Sequence, residues 1–317
     1  MTGVFVWDPA ILEPAPGLTK VAPARLWFWS ESLKELERSW EQAGSRLVIL
    51  RGKPSDLLPQ LAVAIGAEVV AWNRDGEPYA RERDRAVAAA LQAQGTKVLV
   101  DWDQLLIPPD QLKTASGDPY RVYGPFWRNW RGQVEQRWVA GALSSSPAPA
   151  GLLDLDGTTL ESPALAGLLQ QHQASASLDH GFEGTALCPC RPGETAALAQ
   201  LQRFCDGEPG AGRGIPLLGY EPGRNMPGEA GTSGLSAALK FGTLSPRQAW
   251  AAAQGARELA RSSEALESIQ VWEQELAWRE FYQQALFHFP ELAEGPYRTQ
   301  WKHFTWDNHQ GHYEAWC

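Results

Sequence analysis

Four short apolar runs constrain this chain more than any other feature: residues 4–7 (VFVW), 46–50 (RLVIL), 67–72 (AEVVAW) and 97–101 (KVLVD). They are brief, rich in β-branched residues and flanked by turn formers, which predicts buried strands. Helical patterns lie between them. Leu26, Trp29, Leu33, Leu36 and Trp40 step by three and four residues, and Gly44 offers a stop. Residues 54–65 open on Pro-Ser-Asp and carry Leu57, Leu58, Leu61 and Ile65, while 83–91 form an Ala-rich stretch closed by Gly95. Strands alternating with helices of this length predict βαβ units, hence an α/β domain whose parallel sheet is covered on both faces.

From 141 to 195 the composition shifts to Ser, Pro, Ala and Gly, the makeup of a linker with a few short helical pieces. Beyond it, 195–205, 246–260 and 264–289 read as helices with almost no strand signal, so the second domain is expected to be all-α. The expected division is an α/β domain over 1–140, a linker over 141–195 and a helical domain over 196–317.

At 317 residues the chain exceeds the usual size of one core, in keeping with two domains. A net charge of −9 excludes a generally basic nucleic-acid binder, so any DNA contact must come from a local patch. Fifteen Trp are many for a core that aliphatic residues fill more easily. Packing accounts for most, leaving some for flat aromatic ligands or electron transfer. The four Cys, at 188, 190, 205 and 317, lack the paired spacing of a zinc site, so no metal is expected. The N-terminus has no secretory signal, and no apolar run reaches the roughly 18 residues of a membrane span. A soluble, cytoplasmic protein without membrane contact is the expectation.

Two segments carry chemistry. The run Gly231-Thr-Ser-Gly-Leu-Ser236 precedes a helical stretch; small residues let backbone N–H groups approach a ligand, and a helix start favours a phosphate. Ser and Thr before a helix also serve as ordinary caps. Over 270–288, a 100° step places Trp272, Glu275, Leu276, Arg279, Tyr282 and Gln283 on one face, with Trp278 at its flank. An i,i+4 Glu275–Arg279 pair on a solvated face is one reading. A charged pair framed by Trp and Tyr fits a pocket for a polar aromatic ligand better.

The segments TSGLSAALKFGTLSPRQAW (232–250), ELAWREFYQQALFHFP (275–290) and W-x-x-F-x-W ending in A-W (301–316) resemble the flavin-domain motifs of the photolyase and cryptochrome family. FVWDP (5–9), AWNRDGEPYARERD (71–84) and YRVYGPFWRNW (120–130) resemble its antenna-domain motifs, in the same order. The resemblance spans nearly the whole chain apart from the linker. It implies a Rossmann-like parallel-sheet antenna domain followed by an all-α FAD-binding domain. It also implies light-driven repair of cyclobutane pyrimidine dimers by electron transfer from reduced FAD, with a cryptochrome-like receptor or an inactive fragment as the rivals.

Carried over by position, the resemblance implies that Tyr220, Thr232, Ser233, Gly234, Leu235 and Ser236 hold the FAD diphosphate and its surroundings. Arg279 would complete that cradle, and Trp272 would line the pocket. Glu275 and Trp278 would face the lesion, with Arg224 and Tyr282 also meeting DNA, and Trp306 would be the outermost Trp of an electron relay. Asp8, Arg25, Asp75, Glu77, Arg83 and Lys240 are similar to the site of an 8-hydroxy-5-deazaflavin antenna. The implied partner is DNA containing pyrimidine dimers, with no obligate protein partner. Family members carry an apolar strand before the equivalent of FVWDP and further helices after the equivalent of residue 317. The expectation is therefore a fold truncated at both ends, lacking its first strand and the later part of the helical domain.

Overall fold

The computed structural model describes residues 2–12, 21–137, 162–179, 181–182, 190–207, 214–305 and 307–316. The order at the start is β1 (Gly3–Trp7), α1 (Pro9–Leu12), α2 (Pro23–Gln42), β2 (Leu47–Arg51), α3 (Pro54–Ala64), β3 (Val69–Asn73), α4 (Pro78–Ala93) and β4 (Lys97–Asp101). Each predicted strand and intervening helix is present. Proline opens α2, α3 and α4, where its missing N–H costs nothing and its fixed φ suits the first turn. Gly44 and Gly95 follow α2 and α4 with φ of 78° and 85°, a left-handed conformation that ends a helix cheaply only for glycine.

The strands form two parallel pairs, not one continuous sheet. β1 lies beside β2 from Gly3↔Leu47 to Trp7↔Arg51, and β3 beside β4 from Val69↔Lys97 to Asn73↔Asp101. β2 buries four successive residues, whereas β3 and β4 alternate between half-buried and exposed. Among the described residues no strand joins the two pairs.

Part of the stretch expected as linker is structural. Helix α6 (Pro163–His172) is capped by Ser162 and presses Leu165, Leu168 and Leu169 against Val48, Leu50, Leu57 and Leu61. Gln173 then bridges to Leu50 at the edge of β2. The leucines at 165, 168 and 169 form the stripe of one of the short helical pieces expected in this stretch.

The helical part comprises α5 (Tyr123–Arg137), α7 (Glu194–Asp206), α8 (Tyr220–Gly223), α9 (Ser236–Phe241), α10 (Pro246–Leu259), α11 (Ser263–His288) and α12 (Gln310–Trp316). A capping box at Ser245 and Gln248 starts α10. Fully buried Glu273 of α11 accepts from Arg257 at 2.7 Å and Gln254 at 2.8 Å, fastening α11 to α10. The largest core joins the two halves: Phe28, Leu106, Ile107, Phe126 and Trp130 pack with Phe204, Leu217, Trp250, Ile269, Trp272 and Leu276. Trp7, Trp130, Trp250 and Trp272 are buried, so packing does absorb much of the tryptophan content.

Candidate functional site

The site is built around α11, whose two sides do different work. On the side facing the α/β half, four polar residues bond the backbone that follows β4. Arg279 donates to the carbonyls of Gln104 at 2.7 Å and Leu239 at 3.1 Å. Glu280 accepts from the N–H groups of Leu106 and Ile107 and from Trp130 Nε1, the last at 2.7 Å. Gln284 donates to the Ile107 carbonyl at 3.1 Å, and the His288 ring lies 3.1 Å from the Pro109 carbonyl. The spacing 280, 284, 288 is one helical stripe, and it reads the main chain of 106–109. Arg247 at the start of α10 extends the seam to the Trp102 and Asp103 carbonyls.

Complete burial drives the Glu280 carboxyl up to about 7, against the pull of its three donors and of Arg279. Arg279 is lowered by burial, partly offset by Glu280 and Asp75. The family resemblance implied a place for Arg279 in the phosphate cradle; in the structure two of its nitrogens serve main-chain carbonyls at the seam. Glu280, Gln284 and His288 were missed, although their i,i+4 repeat was visible.

The open side carries Glu275, Trp278 and Tyr282. Trp278 stacks on Tyr123 with ring centroids 3.4 Å apart and planes 6° from parallel, and Tyr282 stacks on it at 5.6 Å. The Tyr123 hydroxyl donates to the Gln274 carbonyl at 3.0 Å, and burial, then the Glu275 charge, raises its pKa. Glu275 forms an ion pair with Arg224, whose guanidinium lies over the buried Tyr220 ring at 5.8 Å. Burial and Glu275 raise the Tyr220 phenol, while Arg224 lowers it. Tyr220 packs edge-on against Phe204, which also meets Trp272, so Trp272 sits in the core beneath this surface. The Tyr123 stack was also missed; the YGPFW run singled it out only as part of a motif.

Beside this face runs the loop 231–236. A Cβ on Gly231 would fall on the Gly223 carbonyl, so glycine is needed where the loop crosses the end of α8. Gly234 has φ of 65°, Gln200 donates to the Ser233 carbonyl at 2.9 Å, and Leu235 is buried. The loop is thus held from below while Thr232 and Ser236 remain exposed at its outer side. Small residues, two outward hydroxyls and a fixed backbone suit a phosphate-bearing group. Because α9 has only six residues, these donors contribute more than any helix dipole.

The six residues proposed together for an antenna separate. Asp75, Glu77 and Lys240 line a cavity of about 190 Å³ at the seam with Trp102, Leu105 and Gln283. Lys240 pairs with Glu77 at 2.7 Å, and Gln283 Oε1 is buried with no hydrogen-bond partner. Asp8 instead accepts from Tyr79 and the Ala10 N–H, and Tyr79 is pushed up to about 12 by burial and then by Asp8. Arg25 stands over Trp29 at 5.8 Å, and Arg83 pairs with Asp84 at 2.7 Å. Trp306 lies outside the described residues. Cys190 and Cys205 are buried; among the described residues no cluster of His, Cys, Asp or Glu is placed to hold a metal, and no helix is long and apolar enough to cross a membrane.

A paired-strand α/β half joined to a helical half with a small-residue loop at its surface defines a class of two-domain, cofactor-binding protein. Comparison with known proteins narrows it. Residues 1–150 match the family model "DNA photolyase", and 272–317 match "FAD binding domain of DNA photolyase". A deoxyribodipyrimidine photo-lyase of Synechococcus sp. is 49% identical over 316 residues, covering 100% of this chain and 61% of that protein. An uncharacterized 31.6 kDa protein of another Synechococcus strain is 40% identical over 281 residues, 89% of each chain. Among solved structures, a bacterial class III photolyase from Agrobacterium tumefaciens superposes with a TM-score of 0.73 at 31% identity, covering 99% of this chain and 59% of that one. The chain belongs to the photolyase/cryptochrome family, and it spans about three fifths of the length of the photolyases it matches here.

Proposed function

We propose that this chain acts in light-driven repair of cyclobutane pyrimidine dimers in DNA, the activity of a deoxyribodipyrimidine photolyase. The observation that carries the reading is the open side of α11, where Glu275, Trp278 and Tyr282 stand next to Arg224 and near the 231–236 loop. The names of the Synechococcus and Agrobacterium relatives support it.

In this reading Tyr220, Thr232, Ser233, Gly234, Leu235 and Ser236 hold FAD, with Trp272 below them, and Arg279 reaches the phosphates only by giving up its bonds to Gln104 and Leu239. When bound and reduced, FAD supplies the electron that splits the dimer. The chain's own residues do the rest. A dimer leaves the duplex stack more cheaply than an intact pair because its stacking and pairing are already weakened. Glu275 accepts an N–H from the extruded pyrimidines, Trp278 and Tyr282 give an apolar wall that excludes water, and Arg224 holds a backbone phosphate.

A second chromophore fits the seam cavity, with Lys240 and the carboxylates of Asp75 and Glu77 at a polar end and Trp102 and Leu105 at an apolar one. We assign it as an 8-hydroxy-5-deazaflavin held by Asp75, Glu77 and Lys240; Asp8, Arg25 and Arg83, engaged with Tyr79, Trp29 and Asp84, are not among the residues that line the cavity. Trp306 is assigned to electron transfer toward the flavin. The substrate is pyrimidine-dimer DNA in the cytoplasm, with no obligate protein partner. The test is direct: incubate the purified chain with dimer-containing DNA under blue light and in the dark, and measure restored thymines. Restoration only in the light is expected; bound flavin without restoration would favour a receptor role, or an inactive piece.

A further inference from the structure

Arg224 and Glu275 stand in the positions proposed to meet a DNA phosphate and a damaged base, yet in the structure they bind each other. Their spacing is fixed. Glu221, in the turn before Arg224, donates its N–H to Ser268 on α11, which ties the two helices together. Arg224 is also held over Tyr220, and its pKa is raised chiefly by the Glu275 hydrogen bond. Both side chains remain open to solvent, at 35% and 43% exposure, so an incoming strand can compete for either.

We propose that this ion pair is a discrimination device that couples phosphate binding at Arg224 to base binding at Glu275; the proposal rests on the DNA reading above. A phosphodiester that draws Arg224 away leaves the Glu275 carboxylate unpaired beside a polyanion, and like charges repel. An intact duplex gains one contact and meets that repulsion, because its thymine N3–H groups are held in base pairs. An extruded dimer brings imide N–H groups to Glu275 and so replaces the donor that Arg224 took away. The two contacts therefore favour each other, and the coupling is reciprocal. Specificity arises by penalising the wrong ligand as well as by holding the right one.

The experiment measures equilibrium binding in the dark, by fluorescence anisotropy, of two duplexes identical except for one thymine dimer. The proteins are the unaltered chain, Glu275→Gln, Arg224→Gln and the double variant. Exposed ion pairs set the scale: Glu275→Gln is expected to bind the undamaged duplex about two- to five-fold more tightly and to lose most of its preference for the dimer. In the Arg224→Gln background, where no ion pair has to be broken and only the carboxylate's repulsion is relieved, the same change is expected to tighten binding clearly less. Tightening of equal size with and without Arg224 reports a simple loss of negative charge and overturns the coupling, as does no tightening at all. If the unaltered chain does not prefer the dimer duplex, the DNA reading itself falls and the coupling with it. A clear preference with an additive cycle overturns the coupling alone.

Discussion

The two sides of α11 carry similar residues and put them to opposite uses. Toward the seam, buried Glu280 and Gln284 and half-buried His288 are bonded to the main chain of 106–109. On the open side, Glu275 and Tyr282 face solvent, and Glu275 has a partner that can be exchanged. A polar residue on a helix is therefore poor evidence of a site until its surroundings are known. Burial with complete hydrogen bonding holds the two halves together, whereas partial exposure leaves groups available to a ligand.

The largest expected effect comes from breaking the seam. Glu280→Ala leaves three buried N–H donors without an acceptor, a loss of about 3 to 5 kcal/mol in urea unfolding. Unfolding by less than 1 kcal/mol would show that the seam is not the structural side. The seam should also respond to pH. Since the folded pKa of Glu280 lies above its unfolded value, its favourable contribution is complete below the unfolded value near 4.5 and is lost as pH rises through about 7. The amount is about 3 kcal/mol. Unfolding measured from pH 5 to 8 should show this decline in the unaltered chain and a flatter profile in Glu280→Gln.

Much of the architecture was legible in residues. β-branched runs marked all four strands, and the 3-and-4 stepping of Leu26 to Trp40 marked α2. The division of the strands into two pairs was not legible, because strand order depends on long-range contacts that no local pattern encodes. Short helical pieces were expected in the linker, but the packing of α6 against β2 and α3 was not legible, because it too depends on long-range contacts. At the site, the outward hydroxyls of Thr232 and Ser236 and the Glu275, Trp278, Tyr282 side were visible as patterns. The commitment of Arg279 to Gln104 and Leu239 was not, because its partners are backbone atoms 175 and 40 residues away.

Smaller effects sharpen the open side. Gly231→Ala should displace the loop where it crosses Gly223 and weaken FAD binding by about tenfold, roughly 1.4 kcal/mol, as read by flavin titration. Unchanged affinity would remove the loop from the cofactor site. Tyr123→Ala removes the stacked face of Trp278 and should cost about 1 kcal/mol, while Tyr123→Phe keeps the stack and should cost less. Equal losses would shift the weight from the ring to the hydroxyl bond with Gln274.

Glu275→Ala should change stability least, by about 0.5 kcal/mol or less, because its ion-pair partner among the described residues is an exposed arginine. It therefore tests the central claim most directly, through blue-light dimer repair measured per bound FAD in a variant that still folds. The account predicts a yield lowered about tenfold or more with flavin content and melting temperature nearly unchanged. A yield per flavin equal to that of the unaltered chain would contradict it.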